Sequence, residues 1–201
     1  MNKIFSFFKA SAGFLKRNRV RLSTILVIIL LLEDIVEGVV PHDVDGFHDF
    51  LGAIGLFFVV CGTFLRSWAA GIISKDKVLS TTGPYALTRH PLYIGSLLMA
   101  LGFCAIIDDG ENILIILLVI FAVYLPKIRD EEKSLAQIFG EEWNRYTRNI
   151  SGFFPKPADM RSNWSLSQWI RNREHHTFVL ALSGLFILEL WHEFSRYSVT
   201  H

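Results

Sequence analysis

Two stretches of the sequence carry residue types that can do chemistry. The first is Leu79-Ser80-Thr81-Thr82-Gly83-Pro84-Tyr85-Ala86-Leu87-Thr88-Arg89-His90-Pro91-Leu92-Tyr93-Ile94-Gly95. Gly83-Pro84 is turn chemistry. Pro91 suits the first turn of a helix, where its missing N–H is an orphan position anyway, and the amides of such a helix start can face an anion such as a carboxylate. Tyr85, His90 and Tyr93 add polar aromatics. A belt of interfacial aromatics accounts for Tyr85 or Tyr93 alone, but not for an Arg-His-Pro-x-Tyr string directly after Gly-Pro-Tyr. The second stretch runs from Arg129 to Tyr146. It places Glu131 and Glu132 ahead of a helical face of Leu135, Ile138, Phe139 and Tyr146, with Gly140 as a break. By charge pattern alone the two glutamates read as a solvated acidic turn with i,i+4 partners such as Lys127.

Apolar elements must position these stretches. The chain has 201 residues, 51% hydrophobic and 19% charged, with a mean hydropathy of +0.37. The apolar residues come in blocks, which excludes a disordered chain and argues against an ordinary cytosolic enzyme. A net charge of +1 points to neither nucleic acid nor an acidic partner. Cys61 and Cys104 both sit inside apolar runs and make no disulfide framework or zinc site. A helix needs about 20 apolar residues to cross a bilayer. Five segments approach this: Ser23–Val40, Phe47–Gly71, Leu92–Ile107, Ile113–Pro126 and Thr177–Trp191. The third and fourth are separated only by Asp108-Asp109-Gly110-Glu111 and read as a tight hairpin. The expected fold is therefore all-α: an integral membrane helical bundle of about five transmembrane helices, in one domain.

Charge sets the expected orientation. Nineteen of the 20 Lys and Arg residues fall before the first segment, around the 71–91 loop, or between Lys127 and Arg173; only Arg196 follows the last segment. The positive-inside rule then places the N-terminus and both chemical stretches in the cytoplasm. Residues 1–22 form a basic leader. Ile4, Phe5, Phe8 and Leu15 near one face suit a helix lying in the membrane interface, as an alternative to an unstructured basic tail. No small-x-small site follows Val40 closely, so an uncleaved first helix is expected. Residues 156–173 read as a polar surface stretch anchored by Trp164 and Trp169.

Taken together, the stretches resemble the isoprenylcysteine carboxyl methyltransferase and phospholipid methyltransferase family of integral membrane enzymes. The resemblance covers roughly residues 60–155. It rests on Gly62-x-x-Leu65-Arg66-x-Trp68-Ala69, Gly83-Pro84-Tyr85, Arg89-His90-Pro91-x-Tyr93-x-Gly95, Glu131-Glu132-x-x-Leu135-x-x-x-Phe139-Gly140-x-x-Trp143-x-x-Tyr146 and Phe154-Pro155. Trp143 stands where the family carries tyrosine. The segment 156–201 is left as an amphipathic stretch plus the last transmembrane helix.

The resemblance implies a cytoplasmic pocket for S-adenosylmethionine. By position it implies contacts from Lys77, Val78, Leu79 and Ser80, from Tyr85, from His90, Pro91, Leu92 and Tyr93, and from Glu131. It implies methyl transfer to a membrane lipid or other amphiphilic acceptor. A carboxylate acceptor needs no base. An amine or thiol must first lose a proton, for which His90 and Glu132 are the candidates. Lys127, Arg129 and Arg66 are the basic residues expected to face the acceptor. Lys127 occupies the place of a family arginine, and lysine is not a bidentate substitute, so a lipid or small amphiphile is expected rather than strictly an isoprenylcysteine carboxylate. The residues leave the methylated atom (O, N or S) open.

Two other readings compete. Glu33, Glu37, His42, Asp43, Asp45, His48, Asp49, Glu189, His192 and Glu193 gather on the opposite side, and Glu189-x-x-His192 shares a helix face. An acidic rim explains them; the alternative is a divalent-metal or partner site on a non-catalytic membrane scaffold. His175-His176 evokes a membrane di-iron hydroxylase, but such sites need many convergent histidines and this chain has seven in all.

Overall fold

The computed structural model describes residues 25–44, 49–74, 78–108, 110–156 and 159–200. The basic leader, Asp45, His48 and Lys77 lie outside the described residues. All regular structure among the described residues is helical: α1 over 25–37, α2 (Phe50–Ala70), α3 (Pro84–Leu87), α4 (Pro91–Ile107), α5 (Gly110–Phe139), α6 (Glu141–Asn149), α7 (Leu166–Arg171) and α8 (Glu174–Thr200).

The frame is an antiparallel pair, α2 and α4, held close by four glycines. Gly62 faces Gly95 and Gly55 faces Gly102. A Cβ on Gly62 or Gly102 would stand 2.5 Å from the opposing carbonyl oxygen, and one on Gly55 or Gly95 2.7 Å. Small residues let backbones approach in this way where van der Waals packing drives helix association. Toward the far end of the pair, Val59, Ile106 and Ile107 pack with Ala181 and Leu188 of α8 to make the core.

Two described helices, Phe50–Ala70 and Glu174–Tyr197, are long and apolar enough to cross a membrane; Pro91–Ile107 is a shorter apolar helix. Their outward faces carry large apolar side chains, among them Phe57, Phe64, Leu182 and Phe186, as lipid contact requires. The expected hairpin is present: α4 ends at Asp108 in the left-handed region (φ 60°), and α5 begins at Gly110. The segment Ile113–Pro126 is only the first half of α5, which continues through Pro126 to Phe139. This continuation puts Lys127, Asp130, Glu131 and Ser134 on one stripe of a single element, at i, i+3, i+4 and i+7. Gly140, with φ 49°, is the expected break before α6.

The His/carboxylate cluster at the opposite end is structural. Asp49 caps α2, accepting from the amides of Leu51 and Gly52 at 3.2 Å, and its Oδ2 lies 2.6 Å from His42 Nδ1. Burial acts to raise the Asp49 pKa, but the His42 and amide hydrogen bonds outweigh it and hold the carboxyl below its usual range. Glu189 accepts from the Val44 amide at 3.3 Å, and His192 Nδ1 donates to the Pro41 carbonyl at 2.6 Å. Glu189 and His192 thus pin the 41–44 loop to α8 through separate bonds. Among the described residues no group of three or more His, Cys, Asp or Glu could hold a metal ion. Glu33 and Glu37 are exposed.

Candidate functional site

Both chemical stretches open onto one cavity of about 550 Å³. The first reaches it through a loop that is tied down along its length. Gly83 has φ 59°, and a Cβ there would collide with Ile72 and Ser162. Pro84 then starts the single turn of α3. Tyr146 of α6 donates its hydroxyl to the Tyr85 carbonyl at 2.7 Å. The Lys156 amide donates to the Leu87 carbonyl at 3.1 Å, Thr88 Oγ1 to the Gly152 carbonyl at 2.5 Å, and the Arg89 amide to the Ser151 carbonyl at 2.9 Å. Residues 151–156 therefore zip along 87–89. His90 becomes the residue before α4, with Pro91 at its first position.

Across the cavity, α4 and α5 exchange two polar contacts. Tyr93 donates its hydroxyl to Glu131 Oε2 at 2.8 Å. His90 Nε2 lies 2.9 Å from Glu132 Oε1, and Arg89 Nη1 reaches the same oxygen at 2.7 Å. With the Nε2 proton donated to Glu132, Nδ1 is the imidazole atom left to accept a proton. Lys127 Nζ lies 5.6 Å from the Tyr93 ring centroid, and Tyr124 meets that ring edge-on at 5.2 Å. Arg89 lies 5.9 Å from the Trp143 ring, so the tryptophan in the family's tyrosine position serves as a platform for a cation.

Tyr85 is buried, and its hydroxyl has no hydrogen-bond partner among the described residues. Burial pushes its pKa well above the ordinary value of 10, with the negative charge of Glu131 adding to the shift. The phenol is thus a neutral donor in the cavity wall with no acceptor. A buried donor left unpaired is costly, so the hydroxyl is open to an acceptor brought into the cavity.

Of the expected cofactor residues, Val78, Leu79, Ser80, Tyr85, His90, Leu92, Tyr93 and Glu131 all line the cavity. Pro91 is fully buried and starts the helix. Glu132 lies outside the lining and turns to Arg89 and His90. Of the expected acceptor residues, Arg66 and Lys127 line the cavity, while Arg129 is exposed on α5 outside it.

Sequence reasoning missed Tyr124, Ser96 and Asn172, which line the cavity together with Glu174. Tyr124 was legible as the residue one turn before Lys127 on the same helix. Glu174 was legible only as a carboxylate opening an otherwise apolar helix, a placement that marks a partner or a function. The sequence leaves Arg173-Glu174 either as an ordinary polar boundary or as a contact packing the last helix over the cofactor site; Glu174 is 5% exposed and chelates Arg66 with both oxygens, at 2.8 and 2.9 Å.

A family model described as phospholipid methyltransferase matches residues 51–142. The chain is similar to the cobalt-zinc-cadmium resistance protein CzcN of Cupriavidus metallidurans, at 32% identity over 181 residues, which are 87% of this chain and 83% of that protein. It is similar to the nickel-cobalt-cadmium resistance protein NccN of Alcaligenes xylosoxydans xylosoxydans, at 31% identity, covering 75% of this chain and 70% of that protein. It is also similar to the protein-S-isoprenylcysteine O-methyltransferase of Schizosaccharomyces pombe, at 30% identity over 112 residues, covering 50% of this chain and 48% of that protein. No solved structure matches the chain.

Proposed function

The chain belongs to the isoprenylcysteine carboxyl methyltransferase and phospholipid methyltransferase family, and from that premise we propose that it transfers a methyl group from S-adenosylmethionine to a membrane-soluble acceptor. The observation that carries this reading is the cavity itself. The Arg-His-Pro-x-Tyr and Glu-Glu motifs, 38 residues apart at Tyr93 and Glu131, are joined there by a hydrogen bond. We also read α1, α4 and α5 as crossings beside α2 and α8, with the cavity facing the cytoplasm on the grounds of Lys and Arg placement.

The donor set fits the proposed cofactor. Glu131 offers a carboxylate for an ammonium or for ribose hydroxyls. The faces of Tyr93 and Tyr124 suit a cationic sulfur. The unpaired Tyr85 hydroxyl offers a donor, and at the start of α4, where Pro91 has no N–H and the Tyr93 and Ile94 amides bond to the His90 carbonyl, the Leu92 amide is the one offered to a carboxylate. When bound, S-adenosylmethionine supplies an electrophilic methyl group on a positively charged sulfur. The residues of this chain then hold and align the acceptor, a contribution worth about 7–11 kcal/mol where two reactants are well oriented. Tyr93 fixes Glu131. Glu132 fixes His90, whose Nδ1 takes the proton from an amine or thiol acceptor. Lys127, seated on Tyr93, offers a cation to the acceptor's polar end. An isoprenoid, lipid or small amphiphile matches a cavity between helices with lipid-facing sides. Any part this chain has in metal resistance, the setting named for two of its relatives, runs on this reading through its methylated product.

Calorimetric titration of S-adenosylmethionine and of its demethylated product into the detergent-solubilised protein tests this reading. Saturable binding is expected, with loss on Glu131→Ala. A folded protein that binds neither compound would overturn it.

A further inference from the structure

Arg66, one turn before the end of α2, leaves no donor unused. Nε and Nη2 reach the two oxygens of Glu174 at 2.8 and 2.9 Å. Nη2 also donates to Thr177 Oγ1 at 3.3 Å. Nη1 donates to the Leu92 carbonyl at 3.3 Å and to Ser96 Oγ. Five N–H groups meet five acceptors, the full capacity of a guanidinium. Two of those acceptors belong to α8 residue Glu174, one to α8 residue Thr177, and two to the first turns of α4. Arg66 therefore clamps three helices at the cavity wall, and none of its donors is left for an acceptor molecule.

We infer that Glu174 is a positioning residue of the cavity: through Arg66 it fixes the first turn of α4, and with it the Tyr93 hydroxyl that orients Glu131. Glu174 lies outside residues 51–142, so this role gives the last helix a part in the site that the family match does not cover. Tyr93 sits between Leu92 and Ser96, the two α4 residues that Arg66 holds. A rotation of that turn moves the hydroxyl off Glu131. The planar fork of arginine makes the clamp directional, which a lysine cannot copy. The effect on α4 follows from this geometry alone; the effect on ligand rests on the proposed function.

The two are separated by measuring both. The full chain in detergent is compared with Glu174→Gln, with the double variant Arg66→Met/Glu174→Met, and with Ser96→Ala. Thermal midpoint, hydrogen exchange over residues 90–97 and S-adenosylmethionine affinity are read for each. Glu174→Gln leaves the half-buried Arg66 cation without its counter-charge and lowers the midpoint. The double variant removes both charges and recovers the midpoint, since buried pairs exchanged for apolar residues are often neutral in stability. It does not recover the hold on α4: exchange at Tyr93–Ser96 rises, and affinity falls, by about 10-fold, the size of one strong coupling. Ser96→Ala keeps the ion pair, removes both the Arg66 contact and the Ser96 Oγ bond to the Leu92 carbonyl at 2.9 Å, and raises the same exchange by at least about 5-fold. A stable double variant and a Ser96→Ala protein with wild-type exchange would overturn the inference. If the wild type binds no S-adenosylmethionine, the proposed function falls, and hydrogen exchange alone still decides the positioning.

Discussion

Tyr93 on α4 donates its hydroxyl to the Glu131 carboxylate on α5 at 2.8 Å. The ring has little freedom, because Tyr124 meets it at 5.2 Å and His90 at 5.8 Å, both edge-on. Glu131 is therefore presented to the cavity in one orientation. If it holds the cationic part of S-adenosylmethionine, Glu131→Gln weakens binding by about 1.5–3 kcal/mol, the range for hydrogen bonds to charged groups. Tyr93→Phe removes only the orienting bond and costs about 1 kcal/mol. Calorimetric titration checks both. Equal affinity in the wild type and Glu131→Gln would remove Glu131 from the binding site.

Glu132 faces away from the cavity and holds Arg89 and His90 on a single oxygen, at 2.7 and 2.9 Å. Its substitution leaves the cavity wall intact but loosens the imidazole and its tautomer. Glu132→Gln is expected to leave S-adenosylmethionine affinity unchanged while methyl transfer to an amine or thiol falls by about 100-fold, within the usual range for losing an acid–base group. Transfer of a labelled methyl group to membrane lipid extract measures the rate. An undiminished rate with intact binding would remove the Glu132 charge from any proton transfer through His90.

The glycine seam between α2 and α4 holds the site's frame. Gly62 and Gly102 each lie where a Cβ would stand 2.5 Å from an opposing carbonyl oxygen. Backbone cannot rotate out of the way as a side chain can. Gly62→Val and Gly102→Val are expected to destabilise the protein by at least about 1–3 kcal/mol, the cost of overpacking. Gly110→Ala, with nothing within 4 Å of the new Cβ, is the neutral control. Thermal unfolding in detergent reads all three, and a Gly62→Val protein as stable as Gly110→Ala would mean the seam is looser than described.

Local signals in the sequence survive in the fold. Pro91 starts α4, Gly140 separates α5 from α6, and the Asp108 turn makes the hairpin, because each depends on the conformational limits of one or two residues. The cavity residues of the two motifs were legible because the motifs carry paired polar types. The partner of Glu174 was not. Arg66 is 108 positions away, and neither residue's neighbours signal the other. The glycine seam was missed for a related reason. Gly55 and Gly62, then Gly95 and Gly102, repeat at seven-residue spacing, but a repeat within one helix does not name the helix it faces. Glu189 and His192 share a helix face, as their spacing implies, but the loop amide and carbonyl that each one engages were not legible from it.

Burial raises the pKa of both Tyr85 and Tyr146 above the ordinary value of 10. In each case the folded chain holds its proton more tightly than the unfolded chain does. Their contribution to stability is complete below about pH 10 and is lost only as pH rises through the folded values. Two of the five tyrosines are therefore expected to ionise late in an absorbance titration, and the late fraction shrinks in Tyr85→Phe and again in Tyr146→Phe. Ionisation of all five tyrosines in one step near pH 10, with the protein still folded, would contradict the burial of both.

Residues 153–171 differ from the polar stretch their composition suggests. Phe154, Met160, Trp164, Leu166 and Ile170 are all exposed, beside Lys156, Arg161 and Arg171. The segment is pinned to the end of α2: Trp164 Nε1 donates to the Ser67 carbonyl at 3.1 Å, the Ser165 amide to the Gly71 carbonyl at 2.9 Å, and Asn172 Nδ2 to the Ala70 carbonyl at 2.7 Å. It then runs directly into α8. Fixed between the end of α2 and the start of α8, these side chains have the aromatic and basic make-up of a segment that meets lipid headgroups. Trp169 is turned inward instead, with ring centroids 6.0 Å from His175 and 6.3 Å from Phe178. In bilayer discs made with lipids brominated high on the acyl chain, Trp164→Phe is expected to remove a quenched component of the fluorescence, and Trp169→Phe a component that the bromines barely reach. The opposite assignment would place the segment away from the bilayer and leave the exposed apolar side chains without a partner.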